Sequence, residues 1–221
     1  MPELTPAFLV LGFISYMVFL FSTTCHEAAH AFVAQRGGDS TAALGGQVSL
    51  NPIPHIRRSP YGMVVFPLLS FFVLHGGMIG FASAPFDPLW ERRYPKRSAW
   101  MALAGPAANF TLMFLGAFAL RAGRAMDLFH LQADGTSGFL LTTLFTVFSL
   151  NLLLGTFNLL PLPPLDGSTA IMLFMSESGA QKYLDFLRGN NFAMAGILVG
   201  LFVFQRIFPT VENFVVHLLF A

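Results

Sequence analysis

Apolar stretches long enough to cross a membrane alternate along this chain with short polar ones. Pro6 to Gln35 is the first, and from Pro6 to Cys25 it carries no charge. Ser98 to Leu120, Thr136 to Leu160 and Phe192 to Phe208 are further spans, near the roughly 20 residues that a bilayer-crossing helix needs. Tyr61 to Ala84 is also apolar, but it is interrupted by Pro67, His75, Gly76, Gly77 and Gly80. The stretches between are short. Arg36 to Pro60 is polar and broken by glycine and proline, and the loose alternation of Thr41 to Leu50 predicts a short β-hairpin. Pro85 to Arg97 reads as a charged loop and Pro161 to Gly167 as a proline-rich turn. Ser178 to Gly189 sets Tyr183, Leu184, Phe186 and Leu187 among charges, the pattern of an interfacial helix. Val211 to Phe220 predicts a separate short helix, surface-lying or buried. The pattern predicts an all-α polytopic membrane protein with about five spans or re-entrant segments plus interfacial helices. It forms one membrane-embedded domain over residues 1–221.

Composition agrees. Of 221 residues, 55% are hydrophobic and only 10% charged, against about 25% charged in soluble domains. The net charge of +1 gives no case for a nucleic-acid partner, and the one cysteine, Cys25, excludes an internal disulfide framework. The N-terminus lacks the basic region of a signal peptide, so its apolar run reads as a retained helix. The 26 phenylalanines serve as lipid-facing and core residues. Gly196 and Gly200 stand at the spacing that allows close helix packing.

The chemistry concentrates at His26-Glu27-Ala28-Ala29-His30. On a helix, histidines four apart share a face and can grip one zinc ion, with the intervening glutamate as general base. A catalytic zinc site takes three protein ligands. Asp166 is the only charged residue between Asp134 and Glu177, and a carboxylate at the end of a span is costly unless paired or metal-bound. It is the third ligand on this reading, with His55 as the rival. Plainer roles are a helix cap for Asp166, an interhelical hydrogen bond for Asn158, close helix packing around Asn109, a structural or gating role for His55 and His75, and a small buried filler for Cys25. The basic run Arg92, Arg93, Lys96 and Arg97 reads as a topology signal.

Three segments, His26 to His30, Ala104-Gly-Pro-Ala-Ala-Asn109 and Asn158-Leu-Leu-Pro-Leu-Pro-Pro-Leu-Asp166-Gly167, resemble the site-2 protease family of intramembrane zinc metalloproteases. They stand in the family's order and cover most of Pro6 to Ser176. Asn51-Pro-Ile-Pro-His55 and the lack of a PDZ-like insertion make the chain similar to the minimal branch. The resemblance implies a zinc metalloendopeptidase that hydrolyses peptide bonds in or near transmembrane segments of membrane-protein substrates. It implies one Zn2+ per chain held by His26, His30 and Asp166, water activation by Glu27, and a substrate or oxyanion contact from Asn158. His55 and Asn109 are candidate substrate or gating residues. Arg57 stands where the branch often has an acidic residue. The competing class is a non-catalytic membrane protein that binds zinc or a client helix; it would need the histidines but not Glu27.

The metal also constrains topology. If Tyr61 to Ala84 crossed the membrane, His30 and Asp166 would end on opposite sides. If it is re-entrant, both lie on one side. Re-entry then puts Arg36, Arg57, Arg58, Arg92, Arg93, Lys96, Arg97, Lys182 and Arg188 on the ligand side, and Arg121, Arg124 and Arg206 on the other. The positive-inside rule makes the ligand side cytoplasmic. The expected location is the plasma membrane, with the site opening to the cytoplasm. An extended substrate is expected to pair with an edge of the 41–50 hairpin.

Overall fold

The computed structural model describes residues 5–129, 136–189 and 192–220. Among them there is no strand. Four helices are long and apolar enough to cross a membrane: α1 (Pro6–Gly37), α6 (Pro95–Ala125), α7 (Thr136–Asn158) and α10 (Ala193–Phe220). Shorter helices connect them: α2 (Thr41–Leu44), α3 (Pro52–Arg58), α4 (Phe66–Val73), α5 (Pro88–Arg93), α8 (Asp166–Ala170) and α9 (Glu177–Gly189).

Helix α1 starts where Thr5 accepts a hydrogen bond from Phe8 N (3.2 Å) and Pro6 supplies a pre-set first turn. It ends at Gly38, whose φ of 102° lies in the left-handed region that favours glycine. At 1.5 Å per residue, His26 and His30 lie about 30 Å or more from its start. That distance is about the thickness of the hydrocarbon core, so the motif sits near one membrane face.

Helix α6 is the centre of the structure and packs against both α1 and α7. Met113, Ala117 and Leu120 of α6 bury themselves against Phe148 and Leu152 of α7, and Phe208, Val211, Val215, Leu219 and Phe220 of α10 cover that cluster. At the other end, Ala99 packs on Met172, Ala180 and Leu184, which seats the interfacial helix α9. Phe114, Leu115 and Phe118, by contrast, point outward and stay exposed, as lipid-facing residues do.

The segment after Pro60 turns back on itself. A π-helical turn (Tyr61–Val65) and α4 make 13 helical residues, about 20 Å, too short for a bilayer. His75 and Gly76, both at positive φ, reverse the chain. The return limb runs beside the outgoing one: Ile79 N donates to Ser70 Oγ (2.8 Å) and Phe81 N to Gly62 O (3.0 Å). The two ends of the segment therefore lie together, the re-entrant geometry that the ligands require.

Two expectations are corrected. The predicted hairpin at 41–50 is the short helix α2 followed by bends. Asp39 Oδ1 accepts from Thr41 N (2.9 Å) and Thr41 Oγ1 (2.5 Å), and its Oδ2 accepts from Asp87 N (2.8 Å). These bonds start a helical turn where a strand would need free backbone groups, and they leave no edge for an extended substrate. Likewise, the predicted span ending at Phe208 and the separate helix Val211 to Phe220 form one helix, α10, with Pro209 inside it. Proline removes one backbone donor, and the side chains beyond it are held by the α6–α7 core. The polar stretch before Pro60 also contains an unexpected helix, α3. Asn51 caps it by accepting from Ile53 N (3.0 Å), with Pro52 at its first position.

Two outcomes follow for stability. A β-carbon on Gly62 would overlap Phe81 O. Gly62→Ala is expected to cost about 1–3 kcal/mol through overpacking, read as a lower Tm in detergent with zinc stoichiometry unchanged. Burial pushes the Asp39 carboxyl up, but the bonds from Thr41 and Asp87 outweigh this and hold it below its ordinary value. Its stabilising effect is therefore full above the ordinary carboxylate value of about 4 and is lost as pH falls through the lower folded value. Asp39→Asn should flatten the acid side of the Tm-against-pH curve; an unchanged slope would refute the role.

Candidate metal centre

His26 and His30 stand one turn apart on α1, and both are buried. Their Nε2 atoms lie 2.9 Å from each other, and Asp166 Oδ2 lies 3.1 Å from the first and 3.4 Å from the second. Together these residues offer three metal-ligand atoms within 4.8 Å of one another.

The other ring nitrogens show what kind of group fits there. His30 Nδ1 is 2.7 Å from the backbone oxygen of Met101. A carbonyl only accepts, so Nδ1 carries a proton, and in the neutral ring Nε2 presents a lone pair. His26 Nδ1 is 2.6 Å from Asn109 Oδ1. Asn109 is fully buried and its Nδ2 donates to Asn151 Oδ1 (2.8 Å), so its oxygen faces the histidine and His26 Nδ1 is likewise a donor. Two imidazole lone pairs and a carboxylate oxygen thus point at one place. Asp166 Oδ2 is buried and has no hydrogen-bond donor among the described residues. Such a cluster suits a cation, and two neutral imidazoles with one carboxylate match zinc.

Three supports bring the ligands together. Gly105 of α6 lies against the imidazoles, where a β-carbon would collide with both Nε2 atoms. Gly167 does the same for the third ligand: a side chain there would overlap the Leu159 and Leu160 carbonyls, so the chain can fold tightly before α8 and present Asp166 inward. Asp166 is the first residue of α8, whose N-cap position belongs to Leu165. Gly196 of α10 packs on the Pro163 carbonyl and Gly200 on Leu165, so the glycine pair seats this loop.

The basic run makes contacts inside the protein. Lys96 Nζ donates to Met172 O and Leu173 O (2.8 Å each) and to Met175 O, just after α8. Arg97 donates to Gly37 O (2.9 Å), as does Trp90 Nε1 (3.0 Å), at the end of α1. Adjacent residues of α6 therefore hold both ligand-bearing segments.

Glu27 is buried on α1, next to His26 in the chain. Asn158 ends α7 with its Nδ2 donating to Leu154 O (3.1 Å). Among the described residues no hydrogen bond joins it to the three ligands. His55 is fully buried away from the cluster: its Nε2 donates to Ser49 O (3.0 Å), and Gln47 Nε2 stands 3.5 Å from its Nδ1. Gln47 also donates to Ser83 O (3.3 Å), which ties this loop to the return limb. Asn151 and Ser22 are parts of the site that residue patterns missed. In the sequence Asn151 is an amide in an apolar run, and Ser22 carries no signal.

The fold and the donor set define a class: a polytopic membrane protein with a buried cluster of two histidines and one carboxylate that could hold a metal ion. The chain belongs to the site-2 protease family of zinc metalloproteases. It is 37% identical over 161 residues to "Putative zinc metalloprotease YwhC" of Bacillus subtilis, covering 71% of this chain and 68% of that protein. It is 32% identical over 152 residues to Rip2 of Mycobacterium tuberculosis, also named a zinc metalloprotease, covering 69% of this chain and 53% of that one. Rip3 of the same organism is 27% identical over 194 residues, covering 87% of this chain and 38% of Rip3. No protein-family model matches the chain, and no solved structure matches it.

Gly105→Ala tests the close approach. It is expected to weaken zinc binding about tenfold or more, as displaced ligands do. Chelator competition on purified protein checks this; wild-type affinity would show that α6 need not touch the imidazoles.

Proposed function

We propose that this protein is an intramembrane zinc endopeptidase acting on transmembrane segments of membrane-protein substrates, within one domain over residues 1–221. The observation that carries the reading is the meeting of His26, His30 and Asp166 beside buried Glu27 at the end of a membrane-length helix. His26, His30 and Asp166 hold the metal. Zinc in that position supplies Lewis-acid activation of water and of the scissile carbonyl.

The remaining work falls to the side chains. Glu27 takes the proton of the attacking water and returns one to the leaving amine. Asn109 and the Met101 carbonyl orient the two imidazoles. Asn158 supplies a hydrogen bond to the substrate or to the developing oxyanion. His55 braces the loop over the return limb and bears on substrate access through it.

A transmembrane helix hides its amides in its own hydrogen bonds, so cleavage falls near a helix end or at a locally unwound residue. An apolar groove of about 600 Å³ supports this. It runs beside the motif between Cys25, Ala28, Ala29 and Phe32 of α1, the loop at Val48 to Leu50, and Ala108 and Leu112 of α6. It offers room for the side chains of an unwound segment. On this reading the site opens to the cytoplasmic side of the plasma membrane, and the excess of Lys and Arg on the ligand side supports that orientation.

Glu27→Gln should abolish cleavage of a membrane-helix substrate while keeping one zinc per chain, and Asp166→Ala should lose the zinc. Peptide hydrolysis by Glu27→Gln, or full zinc occupancy in Asp166→Ala, would overturn these assignments.

A further inference from the structure

Behind His26 a chain of buried polar groups continues past Asn109 to Asn151 and Ser22, which the mechanism does not use. Asn109 Oδ1 faces His26 Nδ1 at 2.6 Å, and Asn109 Nδ2 donates to Asn151 Oδ1 at 2.8 Å. Asn151 Nδ2 donates to Ser22 Oγ on α1 and to Val147 O on its own helix, both at 2.8 Å. Ser22, Asn109 and Asn151 are all essentially inaccessible. The chain runs from α7 through α6 to α1 and closes on α1 again.

An amide can turn over and exchange its donor and acceptor ends, so each link needs something to choose its direction. The Val147 carbonyl makes that choice, because it can only accept. It holds the Asn151 NH2 towards itself and Ser22, which leaves Asn151 Oδ1 towards Asn109. Asn109 must then offer its NH2 to Asn151 and its oxygen to His26. That oxygen requires a proton on His26 Nδ1, which leaves the Nε2 lone pair facing Asp166 and His30. His30 needs no such chain, since the Met101 carbonyl fixes its tautomer directly.

We propose that Asn151 is a positioning residue for the metal centre: anchored by Val147 O, it sets the direction of Asn109 and thereby the metal-ready tautomer of His26. The inference rests on the metal-centre reading above. Without Asn151, Asn109 is free to turn its NH2 towards His26. The ring then has reason to move its proton to Nε2, where a metal cannot bind.

The test uses full-length protein in detergent, with two readouts: the zinc Kd by chelator competition, and the 15N shifts of His26 in metal-free protein, which report which ring nitrogen is protonated. Asn151→Leu is expected to weaken zinc about tenfold, as loss of an outer-shell partner does, and to populate the Nε2–H form of His26, with His30 unchanged. Asn109→Asp cannot turn the wrong way, because both carboxylate oxygens accept. The double variant Asn109→Asp/Asn151→Leu should therefore recover zinc affinity and the Nδ1–H form. This comparison stands even if Asn151→Leu alone folds poorly.

A lower Tm for Asn151→Leu with unchanged Kd and unchanged His26 shifts would reduce Asn151 to a packing residue and overturn the proposal. So would failure of the Asp variant to rescue. If wild-type protein itself bound no zinc, the metal-centre reading would fall, while the shifts of metal-free His26 would still decide the relay.

Discussion

Three lone pairs aimed at one point inside a membrane protein form an arrangement that repels itself. His26 Nε2, His30 Nε2 and Asp166 Oδ2 stand 2.9 to 3.4 Å apart, with little water to screen them. In such surroundings charge interactions are far stronger than in water, so a cation between these atoms stabilises the arrangement. Everything nearby resists the relaxation that would otherwise spread these atoms. Met101 O and Asn109 hold the rings from behind, Gly105 brings α6 against them, and Gly167 lets the chain fold tightly enough to point Asp166 inward.

Helix α6 carries most of that burden. It brings no metal ligand, yet it supplies the carbonyl and amide that orient both histidines. Its first turns hold the end of α1 through Arg97, helped by Trp90, and the segment after α8 through Lys96. The ligands come from α1 and α8, but their spacing is set by what each grips on α6. The re-entrant piece has a matching topological role. By returning beside its own start, it lets α6 leave from the face where α1 ended, so that α7 delivers Asp166 to the same side.

Much of this was readable in the residues because the physics was local. Two histidines four apart, a lone carboxylate after a long apolar run, and stretches of bilayer length need only helical periodicity and the cost of buried charge. Re-entry could be reasoned from the requirement that both ligands reach one ion. The missed features depend on partners distant in sequence. Thr41 to Leu50 alternates as a strand would, but Asp39 and the distant Asp87 backbone impose a helical turn. Pro209 looks like a helix end until the α6–α7 core is there to hold the residues beyond it. Lys96 looks like one charge in a basic run, because carbonyls some 76 to 79 residues away leave no mark on its neighbours. Ser22 and Asn151, 129 residues apart, meet only once the helices have packed.

The Lys96–Arg97 clamp has a consequence for how the protein is made. Synthesis runs from the N-terminus, so α1 and its two histidines meet the N-terminal turns of α6 early, and Arg97 can close on Gly37 while α7 is still to come. Lys96 must wait. Its carbonyl partners follow Asp166 and appear only after the last metal ligand has left the ribosome. Capture of that segment and completion of the donor set therefore fall together near the end of translation. A nascent chain in the membrane holds two of the three clustered donors until its own α8 arrives.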